Sequence, residues 1–361
     1  MNALERSLAR VAGCPCDRAP NWDIMMTFAA HYIGAPLRAY YLDHRTLVHA
    51  NLAMVDDLGL DIVQAISDPY REACDLGLRV DFPEDALPVA AEPLLAEPGA
   101  LARLHVVEPS RGRRMSDRLD AVRGLRERVG NTVPVMGWVE GALAEAADLR
   151  GVSTLLLDLY DRPEWVEELL ALCEAQAIAF ARAQVAAGAH LVGIGDAVAS
   201  QISPAAYRRW ALPHERRIVA AVQEAGALAR LHICGNTSRL LPDMASTGAD
   251  IIDLDWMVSL PAATAAFGDG PALCGNFDPV AVMLRSTPDE VYAWTLYCLA
   301  ASGLKSISGA GCEIPDGTPV ANLEAQRRAI VAYATLSPAE QAALAIAPPT
   351  AGAIDRGPRL G

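Results

Sequence analysis

The sequence predicts an α/β fold of the (β/α)8 TIM-barrel type. Short apolar segments that end in Gly, Asp, Asn or Cys alternate with longer helical stretches, a pattern typical of parallel strands joined by helices. Eight such segments occur, which is the number that closes a barrel. They are residues 23–27, 61–66, 133–139, 191–195, 229–234, 251–255, 272–276 and 305–309.

Helical stretches fill the intervals between these predicted strands. Residues 163–187 begin with Pro163 and carry several glutamates in their first turns, as the positive end of a helix dipole favours. Residues 204–225 and 288–302 are predicted helices of the same kind. Residues 1–11 are predicted to form an amphipathic helical extension that precedes the barrel.

Two segments depart from the alternating pattern. Residues 81–118 contain five prolines, and we interpret them as an insertion over the barrel mouth, the face where the strands end, with a role as a lid. Residues 347–361 are rich in Pro and Gly and are predicted to be a loose C-terminal tail. The rest, residues 1–346, is expected to be a single barrel domain.

Polar side chains cluster at the predicted strand ends. In a barrel these ends meet on one face, where active sites are built. A doubly wound open sheet would also bind ligands at its strand ends, but it would not return the eighth strand to the fifth. The residues at or just past the ends are Asp68, Glu140, Asp196, His232, Cys234, Asp255, Asn276 and Cys312.

Three of these residues form the set His-x-Cys plus a distant Cys. His232 and Cys234 are two positions apart, so their side chains share one face of a strand, and Cys312 follows the last strand. One imidazole and two thiolates suit Zn²⁺ and leave one coordination position open, as in catalytic zinc sites. The alternative interpretation is a core histidine beside two inert buried thiols. The glycines that flank both motifs, typical of turns at strand ends, favour the zinc site.

Composition excludes several functional classes. The 361 residues carry a net charge of −14, and no stretch clusters Lys or Arg as a patch that follows a phosphate backbone would require, which argues against a nucleic-acid partner. The start of the chain lacks the apolar core of a signal peptide, and the most apolar stretch, residues 175–195, is interrupted by Arg182, Gln184 and His190. We therefore expect no membrane span. Eight cysteines without an export signal indicate reduced thiols and a cytoplasmic protein.

Three motifs give the chain a resemblance to a known family. They are Gly137-Trp138-Val139-Glu140-Gly141, the segment 231–235, and the segment 308–315 with Asn322 downstream. Over about residues 19–333 the chain resembles the uroporphyrinogen decarboxylase superfamily. Within it, the chain is most similar to the zinc-dependent cobalamin methyltransferases of the methylcobamide:coenzyme M type, whose His-x-Cys…Cys metal motif matches His232, Cys234 and Cys312.

The decarboxylases of that superfamily are the first alternative. Their signature Met-Arg-Gln-Ala-Gly-Arg-Tyr corresponds here to residues 26–32, where Thr27 and His31 replace the two arginines. Neither a hydroxyl nor a largely neutral imidazole replaces a bidentate guanidinium on a polycarboxylate substrate. The pairs Ser67-Asp68 and Leu254-Asp255 still resemble the decarboxylases, so the resemblance implies a shared scaffold with different pocket chemistry.

The resemblance implies methyl transfer between a corrinoid and a small molecule. Zinc could lower the pKa of a substrate thiol that attacks a methyl–cobalt bond, or it could activate the heteroatom of a methyl donor in the opposite direction. The sequence does not choose between these directions. It has no Asp-x-His-x-x-Gly corrinoid-binding signature, so a separate corrinoid-binding protein is expected as the partner. A non-catalytic corrinoid or tetrapyrrole carrier with a structural zinc is the second alternative.

The other polar residues at the strand ends are candidates for catalysis and for substrate contacts. Asp196 and Asp68 are the candidates for catalytic carboxylates, and Asp255 is also a candidate fourth zinc ligand, although it could instead cap a turn. The candidates for substrate contacts are His31, Glu140, Asp255 and Asn276.

Overall fold

The computed structural model describes residues 1–349. Parallel strands are followed by helices along most of the chain. The strands are β1 (Val63–Gln64), β2 (Val80–Asp81), β3 (Val89–Ala90), β4 (Val135–Glu140), β5 (Leu191–Gly195), β6 (Leu228–His232), β7 (Ile251–Asp253), β8 (Ala272–Cys274) and β9 (Ser306–Ile307).

The helices vary from one turn to nearly seven. They are α1 (Ala3–Val11), α2 (Thr27–Tyr32), α3 (Leu37–Leu42), α4 (His44–Leu58), α5 (Arg71–Leu76), α6 (Arg113–Val129), α7 (Ala142–Arg150), α8 (Val152–Asp161), α9 (Pro163–Ala186), α10 (Pro204–Trp210), α11 (Leu212–Glu224), α12 (Leu241–Ala245), α13 (Leu260–Phe267), α14 (Pro288–Ala301), α15 (Val320–Tyr333) and α16 (Pro338–Leu344). Two 3₁₀ turns (Pro98–Arg103 and Ala197–Gln201) and one π-helical turn (Pro279–Leu284) complete the elements.

Seven parallel strands form one curved sheet in the order β1-β4-β5-β6-β7-β8-β9. An extended segment around Asn21 lies between the two edges. The amide of Trp22 donates to the carbonyl of Ser308 at 2.8 Å after β9, and the amide of Asp61 donates to the carbonyl of Asn21 at 3.0 Å before β1. The ring is therefore closed, and the predicted (β/α)8 barrel is confirmed.

The bounds of the first predicted strand were wrong. The sequence predicts a strand over residues 23–27, but among the described residues the β-bridge of this segment lies earlier, between Asn21 and Ser308, and α2 already begins at Thr27. The physical reason is the carboxylate of Glu313, which accepts hydrogen bonds from the backbone N–H and the hydroxyl of Thr27 at 2.7 and 2.8 Å. It satisfies the free amide at the helix start, so the chain turns into α2 early.

The core has two layers, because side chains alternate along each strand between the barrel interior and the outer helices. Alternate strand residues point into the barrel, among them Met136 and Trp138 of β4 and Leu191 of β5, and the intervening residues pack against the outer helices. Gly193 and Gly195 are the inward residues of β5. A Cβ atom on Gly193 would lie 2.2 Å from the indole of Trp138, so the glycines make room for this ring inside the barrel.

Other predicted elements match with small shifts. The helices 163–187 and 288–302 correspond to α9 and α14. The predicted helix 204–225 is two helices, α10 and α11, because Pro213 in the first turn of α11 cannot continue the preceding hydrogen-bond ladder.

The insertion at residues 81–118 lies mainly beside the barrel. Arg150 of α7 donates to the carbonyls of Leu95 and Ala96, and the indole of Trp165 on α9 donates to the carbonyl of Pro98 at 3.0 Å. From residue 95 the segment thus follows the outer helices, and its last residues already form α6. At the mouth itself, Asp85 in the turn between β2 and β3 lies next to His31, and Arg114 near the end of the segment pairs with Asp68 after β1. The role of the segment as a lid stays a prediction.

The division into residues 1–346 and a tail at 347–361 stays a prediction, and residues 350–361 of the predicted tail lie outside the described residues. By length and composition alone, α9 could cross a membrane. Here α9 packs against α7, α8 and α11 as an outer helix of the barrel.

Candidate metal centre

His232, Cys234 and Cys312 converge at the mouth of the barrel. His232 is the last residue of β6, Cys234 follows two positions later, and Cys312 lies in the loop after β9. The His232 Nε2 atom is 2.9 Å from the sulfur of Cys234 and 3.9 Å from that of Cys312, and the sulfurs are 3.6 Å apart. Closure of the barrel therefore brings together residues that are far apart in the sequence.

These distances fit a tetrahedral zinc ion. Bonds of about 2.3 Å to sulfur and about 2.05 Å to nitrogen require donor separations of about 3.8 Å for sulfur–sulfur and about 3.6 Å for nitrogen–sulfur. The sulfur–sulfur pair and the pair of His232 with Cys312 lie within about 0.3 Å of these values. The pair of His232 with Cys234, at 2.9 Å, is about 0.7 Å shorter than the tetrahedral spacing. The donor set and its spacing suit Zn²⁺.

A buried carboxylate orients the histidine. Asp253, the last residue of β7, accepts a hydrogen bond from His232 Nδ1 at 2.8 Å and two from Arg230 Nε at 2.8 and 3.0 Å. Because Nδ1 carries the proton, Nε2 is left as the lone-pair donor toward the cysteines. Sequence reasoning missed Arg230 and Asp253. The alternation of side chains along β6 could have indicated Arg230, because it lies on the same inward face as His232. Asp253 could have been found from the strand pairing, because it lies beside His232 in the parallel register of β6 and β7.

Without a metal, the two cysteines differ in pKa. A hydrogen bond from the Cys234 thiol, with further help from His232, lowers the pKa of Cys312 to about 4, and the same hydrogen bond raises the pKa of Cys234. Burial lowers the pKa of His232, but its interactions with the cysteine pair, with Cys234 first, and its hydrogen bond to Asp253 outweigh burial and raise it. The cluster thus stabilises a thiolate, the form that binds a metal ion.

Trp138 and Glu140 form the adjacent wall. Both side chains of β4 point inward, and the ring centroids of Trp138 and His232 are 5.9 Å apart. Glu140 accepts hydrogen bonds from Arg71 Nη2 at 2.6 Å and from Trp138 Nε1 at 3.2 Å. Burial raises the pKa of Glu140 to about 7, against the opposing effect of Arg71 and with the help of the nearby Glu72.

Asp68 lies in a separate buried ion pair. It accepts from Arg114 Nη2 at 2.5 Å and from the Ser67 hydroxyl at 2.9 Å. Burial opposes its ionisation, but the charge of Arg114 holds the pKa of Asp68 below its ordinary value. Its proposed catalytic role stays a prediction.

His31 joins three segments near the mouth. Its Nε2 lies 2.8 Å from Asp85 in the β2–β3 turn, and its Nδ1 lies 2.9 Å from Asp316 in the loop that carries Cys312. The hydrogen bond to Asp85, followed by that to Asp316, raises the pKa of His31. Both ring nitrogens already have partners, and a substrate contact by His31 stays a prediction.

Asp196 points away from the centre. It follows the inward-facing Gly195, so its side chain faces the outer helices. There it is fully buried and accepts a hydrogen bond from the backbone N–H of Ala144 at 2.9 Å. Burial raises the pKa of Asp196 to about 7, and the second buried carboxyl, Glu215, lies beside it. The structure does not bring Asp196 to the cysteines, and its catalytic role stays a prediction.

Asp255 and Asn276 hold the loops of the mouth together. Asp255 accepts from the backbone N–H groups of Gly235 at 2.9 Å and Met257 at 3.0 Å. Asn276 donates to the carbonyls of Asp255 at 3.0 Å and Val258 at 2.7 Å. These bonds fix the turn after Cys234. Asn276 also lines a neighbouring cavity of about 910 Å³ with Trp256 and Arg285, and the substrate contacts of both residues stay predictions.

A second cluster of possible ligands, Asp43, His44 and Asp117, lies on the helical side of the barrel. Its carboxylates are already bound to cations, because Asp43 pairs with Arg45 and Asp117 pairs with Arg118. This cluster is therefore less suited to a metal ion than the cysteine site.

The fold and the site together define a TIM-barrel protein with a candidate metal centre of one imidazole and two thiols at the strand ends. The chain belongs to the uroporphyrinogen decarboxylase (URO-D) family, whose family model matches residues 2–333.

Relatives of two named activities are similar to this chain. Methylcobamide:CoM methyltransferase MtbA of Methanosarcina mazei is 36% identical over 209 residues, which cover 57% of this chain and 60% of that protein. Uroporphyrinogen decarboxylase of Frankia casuarinae is 34% identical over 237 residues, which cover 64% and 62%. The chain thus spans somewhat less than two thirds of these relatives. A methylated-thiol–coenzyme M methyltransferase of Methanosarcina mazei is 26% identical over 91% of this chain and 89% of its own length.

A solved structure supports the fold. A methyltransferase from Methanosarcina mazei superposes with a TM-score of 0.85 over 92% of this chain and 99% of that one, at 24% identity.

Proposed function

We propose that this protein is a zinc-dependent methyltransferase that moves a methyl group between a corrinoid-binding protein and a thiol or methylated small molecule. The observation that carries the proposal is the convergence of His232, Cys234 and Cys312 at the mouth, with the donor spacing of a tetrahedral zinc ion. Relatives named as methylcobamide:CoM methyltransferases and as a methylated-thiol methyltransferase support it.

The residues of the chain have distinct tasks in this proposal. His232, Cys234 and Cys312 would hold the zinc ion, which when bound supplies a Lewis acid that lowers the pKa of a thiol or stabilises a leaving heteroatom. Asp253 fixes the tautomer of His232, so that Nε2 faces the metal position. Trp138 packs against the imidazole and excludes water from the inner side of the site.

The decarboxylase alternative remains an outcome to test, because relatives of that name are also similar to this chain. The positions of the two signature arginines argue against it. Thr27 binds Glu313, and His31 lies between two aspartates, so neither offers a free cation to a polycarboxylate. We also propose a cytoplasmic location, since all eight cysteines are free thiols, which suits a reducing compartment.

The test combines metal content with activity. We would purify wild-type protein, Cys312→Ser and, as a control, the exposed Cys14→Ser, and measure zinc by mass spectrometry. We expect about one zinc per chain in the wild type and in Cys14→Ser, and loss in Cys312→Ser. Free methylcobalamin with a thiol then replaces the unknown partner, and its absorbance reports demethylation. Absence of zinc, or decarboxylation of uroporphyrinogen by zinc-free protein, would contradict the proposal.

A further inference from the structure

Glu140 and the zinc-site histidine face each other across a glycine. The parallel register aligns Glu140 of β4 with Gly195 of β5 and Gly195 with His232 of β6, so all three lie at one level of the barrel. Gly195 contributes no side chain, and the space above it is taken up by its neighbours: a Cβ atom there would lie 2.9 Å from Trp138 and 3.2 Å from Glu140 Oε2. The Trp138 indole therefore lies between the Glu140 carboxylate and the His232 imidazole and contacts both.

One oxygen of Glu140 is left for a ligand. Its Oε1 accepts from Arg71 and Trp138, whereas its Oε2 accepts no hydrogen bond from any residue in the range 1–349. The Glu140 side chain keeps 11% of its surface exposed. Glu140 Oε2 is thus an available acceptor next to the candidate metal centre.

The charges around this oxygen favour a cation. Arg71 is the cation that contacts Glu140, and it is shared with the buried Glu72, whose Oε2 lies 3.5 Å from Arg71 Nε. Two carboxyls thus face one guanidinium. The pKa values of Glu72 and Glu140 are both raised, first by burial, as is usual where negative charge exceeds positive charge.

An anionic substrate group finds no comparable partner in this wall. The neighbouring buried arginines are already bound to carboxylates, because Arg114 pairs with Asp68 and Arg230 pairs with Asp253. A guanidinium that is already paired with a carboxylate can bind a sulfonate or a second carboxylate only if a buried ion pair is broken, which is costly.

We propose that Glu140 and Trp138 form a subsite for a positively charged ammonium group carried by the thiol or methylated substrate. The ammonium N–H groups donate to Glu140 Oε2, and its methylene groups lie on the indole of Trp138, which also attracts the cation through its π system. The sulfur of the same molecule then reaches toward His232. The substrate class is a short aminothiol or its S-methyl derivative. In this inference, only the position of the sulfur rests on the proposed function.

The test measures binding without turnover. Zinc-loaded protein is titrated by calorimetry with three S-methyl compounds of similar length: S-methylcysteamine (cationic), 2-(methylthio)ethanol (neutral) and 3-(methylthio)propionate (anionic). We expect S-methylcysteamine to bind at least about tenfold more tightly than the anionic compound. Glu140→Gln should weaken the binding of S-methylcysteamine about tenfold and leave the binding of the neutral compound unchanged. The exposed Glu92→Gln should change neither affinity.

Further results separate this subsite from the proposed function. Trp138→Phe keeps the carboxylate and should weaken only the binding of the cationic compound. This variant therefore tests the subsite if Glu140→Gln does not fold. Selective binding of S-methylcysteamine without any methyl transfer would contradict the proposed function and leave the subsite intact. Equal binding of the three compounds, or full affinity in Glu140→Gln, would overturn the subsite even if methyl transfer to thiols occurs.

Discussion

Asp253→Asn should weaken zinc binding without removing any metal ligand. The carboxylate accepts from His232 and twice from Arg230, and all three side chains are buried in the barrel, with Arg230 only 1% exposed. Asparagine has almost the same size but only one acceptor oxygen and no charge. It can serve either His232 or Arg230, and its NH₂ group opposes the other.

Two magnitudes follow from this geometry. Loss of a hydrogen-bonded carboxylate behind a metal-binding histidine typically costs about 10- to 100-fold in metal affinity. Removal of one partner of a buried ion pair costs about 3–5 kcal/mol of unfolding free energy, because the other charge stays buried without compensation. The first effect belongs to His232, and the second belongs to Arg230.

The assays can separate the two effects. Zinc affinity is measured by competition with a chromophoric chelator, and stability is measured by urea unfolding of the metal-free protein. The control is Asp250→Asn, a carboxylate just before β7 that binds the amide of Ala229 at the opposite end of the strand. Adding Arg230→Met to Asp253→Asn should recover stability but not zinc affinity. Zinc affinity equal to that of the wild type in Asp253→Asn would refute the orienting role of Asp253.

Three further predictions concern neighbouring residues. Gly195→Ala should displace the indole of Trp138, since the new Cβ would lie 2.9 Å from it, and we expect a shift of tryptophan fluorescence and weaker binding of S-methylcysteamine. Asp196→Asn should stabilise the protein at pH 8 but not at pH 4, since burial raises the pKa of Asp196 to about 7 and its charge destabilises the fold as pH rises from about 4 through 7; urea unfolding at both pH values checks this. If Asp196 is only structural, this variant should also match the wild type in zinc content and in the demethylation of methylcobalamin. Burial, then Arg126, lowers the pKa of His190 to about 4, so the stability that the neutral ring contributes is lost as pH falls from about 6.5 to 4. His190→Gln should therefore lose less stability between pH 7 and 4.5 in the same assay, and an equal loss would contradict this.

The barrel could be predicted from the sequence because its signals are local. Each strand is a short apolar segment, and each is followed by a helix whose start is marked by proline or acidic residues, as in α9 and α14. The first strand was misplaced because its end is determined by a distant residue, Glu313, whose carboxylate starts α2 at Thr27. No pattern around residue 23 contains that information.

The candidate metal ligands could be predicted from the sequence, but the residues that orient His232 could not. His232, Cys234 and Cys312 are chemically distinctive, so their residue types alone indicate a metal. Arg230 and Asp253 are ordinary charged residues in the sequence, and only the pairing of β6 with β7 gives them a role.

Parity explains the difference between the candidate carboxylates. In the sequence, Asp196 and Glu140 occupy the same kind of position, at or just past the end of an apolar strand. Within the strands, Glu140 has the parity of Trp138 and points inward, whereas Asp196 comes one residue after the inward-facing Gly195 and points to Ala144. A shift of one residue reverses the face on which a side chain lies. Glu140 therefore faces the interior beside Trp138, on the side of the barrel where His232 lies, whereas the fully buried Asp196 connects β5 to the start of α7 through Ala144.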